Sequence, residues 1–370
     1  MSLIKQRAIL RCLICSLLLG ISPISSTEVR VVASGNSIDK LTNASSDDKD
    51  SKAINEALDM LEPQRRRIQT IYLEGIFKIS QSIVLDSYTR LDLSAAQIHT
   101  VPNLAGPAIT NRSTEHGNHH IEITGGIIVG TGIDETNPLL NHGVSLTRVS
   151  NLKLRNINIS GFNGTGILVT GRGRLTRFVD ITDIYVHGNR WFGANITWAM
   201  RNVRVTNLTA SENGEAGLRS DHSEGIYANI ILRNNPGHGL IIRNVFGNSY
   251  SNITSTNNGK TGVYIVGMTH SVGASWGIHN NSARQANQWS DIFFAADGSL
   301  SYGVTSNTVI NGVAAGPVRF HGATTEKYAI EFETELDPSA IFHNLNLSNL
   351  ALTPGIQGGP IFPPTRLRLK

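Results

Sequence analysis

Residues 229–266 read "NIILRNNPGHGLIIRNVFGNSYSNITSTNNGKTGVYIV", and this stretch contains one short pattern twice. Each copy starts with an asparagine before an isoleucine, passes through a glycine-containing turn, and ends in an alternating stretch, "GLIIR" or "GVYIV". Towards the N-terminus the same kind of position recurs at spacings of 27, 24, 22 and 23 residues, at Asn156, Asp183, Asn207, Asn229 and Asn252. Short strands at this period, with no helical pattern between them, predict a parallel β-helix in which stacked coils bury one apolar interior.

The recurring asparagines predict a structural ladder in one turn of the coil. A side-chain amide can hydrogen-bond to the amide of the next coil, and asparagine tolerates the tight backbone of such a turn. We therefore expect the residues from Asn156 to Asn252 to stack on one another along the axis of the solenoid.

The first 26 residues, "MSLIKQRAILRCLICSLLLGISPISS", have the layout of a secretory signal: a basic start, an apolar run and small residues. Removal of this segment would lower the formal net charge from +4 to +1, so the composition does not favour a nucleic-acid partner. Both cysteines, Cys12 and Cys15, lie in the segment, so the exported chain would have no disulfide. We expect a secreted, periplasmic or cell-envelope monomer that is free of the membrane once the signal is removed.

The segment after the signal carries a second indication of fold. "DDKDSKAINEALDMLEP" (47–63) precedes "TIYLEGIFKISQSIVLDSYTRLDL" (70–93), and the first of these predicts an amphipathic helix at about 51–62 with Asp50 as N-cap. Its apolar face would consist of Ala53, Ile54, Ala57, Leu58 and Leu61.

With the repeats, this helix makes residues 46–350 resemble the right-handed parallel β-helix proteins of the pectin-lyase-like superfamily. The resemblance implies an all-β, single-stranded right-handed parallel β-helix with a short helix over its N-terminal end, where unpaired strand edges would otherwise be open. We expect residues 27–45 to be a linker and residues 351–370 to be an irregular tail.

Side chains alternate between the two faces of a strand, so the five glycine-led strands can be divided into inward and outward sets. The inward set is apolar or small: Ile167, Val169, Ala194, Ile196, Leu218, Ser220, Leu240, Ile242, Val263 and Ile265. The polar part of the outward set is Asn195, Arg219, Asp221, Arg243 and Tyr264. Because strands stack about 4.8 Å apart, four coils would align Asn195, Arg219, Arg243 and Tyr264 over roughly 14 Å, a length that suits two or three sugar units.

This outward set favours chemistry on an acidic polysaccharide. The C5 proton of a uronate becomes acidic when the adjacent carboxylate is neutralised; a base then removes it, and a second group protonates the leaving oxygen or the opposite face of the ring. Arginine suits the carboxylate through its bidentate fork. The predicted catalytic residues are Arg219, Asp221, Arg243 and Tyr264, and the predicted substrate-binding residues are Asn195, Trp198, His222 and His238. No cofactor is expected; calcium stays open, although no cluster of outward acids supports it.

The stretch from "GLRSDHSEG" through "HGLIIRN" to "GKTGVYIV" is similar in strand spacing to the core of secreted mannuronan C-5 epimerases. Those enzymes carry Asp-Pro-His where this chain has Arg219, Ser220 and Asp221, so the histidine of the site would have to be His222. The resemblance implies a lyase or C-5 epimerase that acts on a uronate polymer.

Two other functions stay open. "PGHGLII" (236–242) is similar to the Gly-His-Gly segment of polygalacturonase-type hydrolases, but "FGAN" and "GEAG" stand where those enzymes carry paired aspartates. Glycoside hydrolysis normally needs two carboxylates about 5 to 9.5 Å apart, and Asp221 is the only carboxylate in the outward set. Alternatively, a non-catalytic cell-envelope β-helix could bind an acidic glycan through the same asparagine, arginine and tyrosine side chains.

Overall fold

The computed structural model describes residues 28–32, 49–102, 104–134, 141–282, 288–295, 297, 299–301, 305–315, 330–332, 346–352 and 368–369. The expected signal segment lies outside these residues. The elements of the N-terminal half are β1 (Glu28–Val32), α1 (Lys49–Asp59), β2 (Gln69–Ile79), β3 (Ile83–Leu85), β4 (Thr89–Thr100), β5 (Ile109–Asn111), β6 (Asn118–Thr124), β7 (Ile127–Val129), β8 (Val144–Thr147), β9 (Val149–Ser160), β10 (Ile167–Thr170) and β11 (Thr176–His187). Those of the C-terminal half are β12 (Phe192–Ser211), β13 (Ala216–Arg233), β14 (His238–Phe246), β15 (Ser249–Thr256), β16 (Val263–Thr269), β17 (Val272–His279), β18 (Ile292–Ala295), β19 (Val309–Ala315), β20 (Ile330–Phe332), β21 (Asn346–Leu352) and β22 (Arg368–Leu369).

The strands stack in parallel register into three sheets around one core. Sheet I contains β3, β5, β8, β10, the first parts of β12 and β13, and then β14, β16, β18 and β20. Sheets II and III are formed by the two arms of strands that bend, such as β9, β11 and β15. The strand β12 runs through all three sheets: residues 192–197 lie in sheet I, 200–206 in sheet II and 208–211 in sheet III. The predicted parallel β-helix is confirmed.

The division of the glycine-led strands into inward and outward side chains is also confirmed. All ten side chains predicted to point inward are fully buried, Ser220 among them. Stacked apolar side chains from successive coils form one continuous core, and because about 25 cal/mol is gained for each Å² of apolar surface removed from water, this stack stabilises the solenoid along its whole length.

The predicted amide ladder joins the coils at the bend between sheets II and III, which we call the asparagine corner. Asn207 Nδ2 donates to Asp183 Oδ1 at 2.8 Å, Asn229 to Asn207 at 3.0 Å, and Asn252 to Asn229 at 2.8 Å. The ladder residues have left-handed backbones, with φ between 53° and 58° from Asp183 to Asn252, a conformation that asparagine and aspartate adopt more readily than most residues.

A second amide ladder, which the sequence analysis missed, is buried before the strands of sheet I. The Nδ2 of each asparagine donates to the Oδ1 of the next coil at 2.9, 3.2, 2.9 and 2.8 Å, and the last donates to an aspartate at 2.6 Å, in the order Asn189, Asn213, Asn235, Asn258, Asn281 and Asp291. This ladder explains the glycine that starts each strand: a Cβ on Gly217 would lie 2.9 Å from Asn235 Nδ2, and one on Gly239 would lie 2.8 Å from Asn258 Nδ2.

The helix α1 packs against β2 and β3, and it differs in detail from the prediction. Ile54, Ala57 and Leu58 are buried as expected, but Ala53 is exposed. Asp50 lies inside the helix, and its Oδ2 accepts a hydrogen bond from the backbone N–H of Lys78 at 2.7 Å. Asp50 therefore ties the helix to β2 and does not act as its N-cap. No helix in the described part of the chain is long and apolar enough to cross a bilayer.

The two ends of the solenoid extend further than predicted. Residues 28–32, expected to belong to a linker, form β1 and pair with β2. At the other end, residues 351–352 continue β21, and 368–369 form β22, which pairs with β21. Parts of both segments that were expected to be irregular therefore form strands. The unpaired backbone groups at the edge strand of a β-helix can hydrogen-bond to any extended segment that lies next to them.

Candidate functional site

The outer face of sheet I carries the predicted site residues in two columns, not in the single line that was expected. The parallel register aligns Asn195, Arg219, Ile241 and Tyr264 in one column, and Thr197, Asp221, Arg243 and Val266 in the other. Arg243 therefore lies one coil from Asp221 and diagonally from Arg219, because the two strands carry their arginine at different outward positions.

Asp221 is the centre of the site and has no exposed surface. Its Oδ2 accepts a hydrogen bond from Arg219 Nη2 and lies 3.7 Å from Arg243 Nη1. Its Oδ1 is bonded to His222 Nδ1. The three basic side chains are between 25% and 32% exposed, so they cover a carboxylate that solvent does not reach. Asp221 lies beneath the surface of the face, not on it.

His222 stands at the bend between sheets I and II, beside Trp198 of the preceding coil. Both residues have left-handed backbones, with φ of 48° and 64°. Their rings stack at 5.1 Å between centroids and 5° between planes, and Trp198 is 51% exposed. Because His222 Nδ1 is bonded to Asp221, Nε2 is the ring nitrogen that has no partner among the described residues.

Arg243 contacts a second carboxylate that the sequence analysis did not identify. Its Nη2 lies 3.4 Å from Oδ2 of Asp297, which follows β18. Hydrogen bonds from the side chain and backbone of Ser299, together with the Arg243 guanidinium, hold the pKa of the Asp297 carboxyl below its usual value. Asp297 lies outside the strands, so no alternation pattern could have assigned it to this face.

Aromatic rings form the C-terminal part of the site. Tyr264 stacks on Phe293 with 5.6 Å between centroids and 2° between planes, and it packs at 5.1 Å against His238. Trp289 meets His238 edge-on at 5.9 Å, and Lys260 Nζ lies 5.7 Å from the Trp289 ring. Burial, with a smaller effect from the charge of Lys260, lowers the pKa of His238 to about 4.

Unpaired polar atoms are concentrated on this sheet. Among the described residues, nine buried side-chain nitrogen or oxygen atoms have no hydrogen-bond partner, and four of them belong to the site: Asn195 Oδ1, Thr197 Oγ1, Arg219 Nε and His238 Nδ1. An unpaired buried polar atom costs free energy, so a group of them in one place requires an explanation other than folding.

The predicted residues thus divide into a contact cluster and its surroundings. Arg219, Asp221, His222 and Arg243 contact one another, with Trp198 stacked at their edge. The remaining three, Asn195, Tyr264 and His238, lie on neighbouring coils of the same sheet. Their catalytic and binding roles stay predictions. Within the described part of the chain, no group of three or more histidine, cysteine, aspartate or glutamate side chains could hold a metal ion.

Comparisons with known proteins bear on the fold. A family model described as "Right handed beta helix region" matches residues 116–283. No curated protein matches the sequence. Among solved structures, tailspike protein 2 from Escherichia coli O157:H7 bacteriophage CAB120 has a TM-score of 0.60 and 14% identity over 83% of this chain. The match spans only 41% of that tailspike chain.

In two further structures the match covers a larger share of the known chain. The A-module of the Azotobacter vinelandii mannuronan C-5 epimerase AlgE4 has a TM-score of 0.57 and 14% identity, with 86% of this chain and 93% of the module covered. The catalytic domain of a GH87 α-1,3-glucanase in complex with tetrasaccharides has a TM-score of 0.50 and 11% identity, with 96% and 69% covered. At such identities the similarity concerns the fold alone, which is a right-handed parallel β-helix.

Proposed function

We propose that this right-handed parallel β-helix acts on an acidic, uronate-containing polysaccharide, as a lyase or a C-5 epimerase. The observation that carries the proposal is the cluster in which buried Asp221 holds His222 through Oδ1 and two arginines through Oδ2. The fold is shared with a mannuronan C-5 epimerase module and with a glucanase bound to tetrasaccharides, which supports a polysaccharide as the substrate class.

Arg219 and Arg243 would bind the substrate carboxylate. Each guanidinium uses part of its fork on Asp221, and each is about a quarter to a third exposed, at 25% and 32%. Arg243 already holds a carboxylate on its outer side, that of Asp297 at 3.4 Å. A uronate carboxylate would compete with Asp297 for the same nitrogen, and its neutralisation by the arginines would make the C5 proton acidic.

His222 would remove that proton through Nε2. A hydrogen bond from Nδ1–H to Asp221 selects the tautomer in which Nε2 carries the lone pair, and the buried carboxylate stabilises the imidazolium that forms. In a lyase the C5 electrons then form the C4–C5 double bond as the C4–O bond breaks, and the leaving oxygen takes a proton. In an epimerase a second acid, a water molecule in the open groove, protonates C5 from the opposite face, and His222 later releases its proton to solvent. Asp221 is thus a positioning residue, and His222 is the catalytic one.

The aromatic groups would support the neighbouring sugars. Tyr264 and Phe293 form a stacked pair two coils from Arg219, which corresponds to about 10 Å along the axis. That distance favours a role for Tyr264 as a platform for an adjacent sugar ring, in place of the proton transfer expected from the sequence. Trp198, His238 and Asn195 would border the same groove.

The decisive experiment incubates the purified full chain with alginate, polygalacturonate and hyaluronate in D₂O. Both reactions begin with loss of the C5 proton. In an epimerase C5 regains a hydrogen from solvent, so NMR should show deuterium at C5 of one polymer, whereas in a lyase the C5 proton signal is lost because C5 becomes part of a double bond. Ultraviolet absorbance of the new double bond then identifies a lyase, and inverted C5 configuration without absorbance identifies an epimerase. Absence of both deuterium at C5 and a new double bond in every one of the polymers would contradict the proposal.

Variants locate the chemistry. His222→Asn should lower turnover by about a hundredfold or more, because an acid–base group contributes on the order of 10² to 10⁴. Arg219→Lys and Arg243→Lys keep the charge but lose the fork, so polymer binding should weaken by about tenfold. Tyr264→Phe should retain activity, whereas Tyr264→Ala should weaken binding. His116→Asn and Arg177→Lys, both exposed and away from sheet I, are the matched controls.

A glycoside hydrolase is a second candidate because Arg243 contacts two carboxylates, Asp221 and Asp297. Hydrolysis would release reducing ends with no C5 deuterium and no double bond, and Asp297→Asn would abolish it. In the lyase or epimerase proposal the same variant frees Arg243 and should tighten substrate binding. Binding of a polymer without any change in it would identify a non-catalytic glycan-binding protein.

We also propose that the chain is exported and acts as a monomer. The basic and apolar layout of residues 1–26 supports export. Sequencing the N-terminus of the protein recovered from the producing cells would show cleavage near residue 26, and light scattering would measure the mass of the particle.

A further inference from the structure

A second groove lies on the other side of the solenoid, along the asparagine corner of the N-terminal coils. Its volume is about 710 Å³, which is within the usual range of small-molecule sites. Its walls come from β2, β4, β7, β9 and β11, and its polar side chains include Glu74, Gln97, Asn156, Asn158, Asp183 and Tyr185. No residue of the site on sheet I takes part in it.

Glycines give this groove its shape. Gly126 lines it and has a φ of +82°; a Cβ there would lie 2.5 Å from Leu93 Cβ. Its neighbour Gly125 has a φ of +73°, and a Cβ there would lie 2.6 Å from Ser94 Cα. The close approach of these two chain segments requires glycine, because any side chain would push the walls apart.

The polar lining contains hydrogen-bonding groups that the protein does not use. Asn158 Oδ1 is buried and has no partner among the described residues. The exposed amide ladder ends at Asp183. The Asp183 side chain accepts a hydrogen bond from Asn207, but a carboxylate has no N–H with which to donate to Asn156 on the next coil. Amide and carboxylate groups therefore meet in the groove at the point where the coil-to-coil hydrogen bonding stops.

Tyr185 supplies an apolar surface beside these groups. Its side chain is 36% exposed, and its ring stacks on His187 at 4.7 Å and 27°. The hydroxyl lies 3.4 Å from Ser211 Oγ, so the ring is held from its edge as well as its face. A held aromatic ring flanked by amides offers both the flat apolar surface and the hydrogen bonds that a sugar ring requires.

The charge of the lining selects the kind of sugar. Asp183 contributes a carboxylate, and Glu74 contributes a second one that is paired with Arg30 Nη1 at 3.2 Å; no lysine or arginine is among the described lining residues. An acidic sugar would be repelled, whereas the hydroxyl groups of a neutral sugar can donate to carboxylate and amide oxygens. We propose that this groove is a second carbohydrate-binding site, specific for a neutral oligosaccharide, with Tyr185 as its stacking platform and Asn158 and Asp183 as hydrogen-bond partners.

The test titrates the full chain with cellohexaose, maltohexaose and laminarihexaose, with binding followed by calorimetry and by saturation-transfer NMR. One of these probes should bind, and Tyr185→Ala should raise its Kd by about tenfold. Ala95→Trp, at an exposed lining position, should block the groove without disturbing the core. Phe178→Ala, which removes an aromatic ring on sheet II that is 54% exposed and does not line the groove, should leave the Kd unchanged.

Absence of binding for all three probes, or equal affinity in the native chain and both groove variants, would overturn the proposal. Calcium added alone should bind no more tightly to the native chain than to Asp183→Asn. If Asp183→Asn removes calcium binding, the groove is a cation site and the proposal is wrong. The outcome is independent of the chemistry at sheet I, because Arg219→Lys should leave the neutral probe bound, and Tyr185→Ala should leave the uronate reaction intact.

Discussion

The outer faces of sheets I and II both carry charged side chains but use them differently. On sheet II the register aligns Arg90, Glu122, Lys153, Asp180 and Arg204, so that opposite charges alternate from coil to coil. Glu122 accepts hydrogen bonds from Arg90 Nε at 2.7 Å and from Lys153 Nζ at 2.6 Å.

On sheet I, in contrast, one fully buried carboxylate, that of Asp221, serves three basic side chains. The partly exposed guanidinium of Arg219 and the Nε2 atom of His222 therefore keep donors or acceptors that no group in the described part of the chain uses. The same coil repeat can thus build a closed charge network, in which charges of opposite sign alternate from coil to coil, or an open one, in which basic groups outnumber the carboxylate that they share.

The largest expected effect that tests this contrast is on Asp221. Asp221→Asn keeps the shape but removes the only charge beneath three basic groups, so the free energy of unfolding should fall by about 3–5 kcal/mol. Urea unfolding measures the change. Asp180→Asn on sheet II is the matched control and should cost much less; equal losses in the two variants would show that the two faces do not differ.

Acid should weaken sheet I before it weakens sheet II. His238 has a pKa of about 4 because it is buried, whereas an unfolded histidine has a pKa of about 6.5. Between these values the unfolded chain binds the extra proton, so stability should fall by up to about 3 kcal/mol as the pH falls from 6.5 to 4. Urea unfolding across this range should show a shallower dependence on pH in His238→Gln than in the native chain; parallel curves would contradict the prediction.

Sheet II should respond to acid in a lower window and by less. Burial alone would raise the pKa of Asp180, but hydrogen bonds from Arg204, Arg155 and Thr182 outweigh it and lower the pKa to about 2. The stability that this carboxylate adds is present above its ordinary pKa of 3.8 and is lost as the pH falls towards 2. Because both arginines are about half exposed, Asp180→Asn should cost only about 1 kcal/mol at neutral pH. Its difference from the native chain should vanish near pH 2.

The smallest expected effect is that of salt. At about 1 M ionic strength the Debye length is about 3 Å, which weakens the pair that Lys153, 44% exposed, forms with Glu122, 7% exposed. The stability difference between the native chain and Lys153→Gln should therefore shrink by a few tenths of a kcal/mol on addition of salt. The loss of unfolding free energy in Asp221→Asn should change less on addition of salt, because that carboxylate is fully buried. A larger salt effect on Asp221→Asn than on Lys153→Gln would contradict the prediction.

The fold was predictable because the repeat and the alternation of side chains are properties of the sequence alone, as the burial of Leu240 and Ile265 shows. Alternation assigned Asp221 to the outer face correctly, but it could not predict that the carboxylate is buried. Its burial depends on the long side chains of neighbouring residues, which cover it. His222 itself has a left-handed backbone, so alternation fails at that position. Asp297 comes from a segment between strands, so its contact with Arg243 follows from tertiary structure only.

The buried ladder from Asn189 to Asp291 has a consequence for how the protein could be lengthened or shortened. Its steps repeat at 24, 22, 23 and 23 residues, and each asparagine both donates and accepts, so one coil can be exchanged for another. Duplication or deletion of a whole coil would preserve the chain of amides, whereas an insertion of a few residues would break it. Asp291 only accepts, so it closes the series. The solenoid is therefore a modular object whose length can change in whole turns, and a single carboxylate marks where its buried ladder stops, although the coils continue to β22.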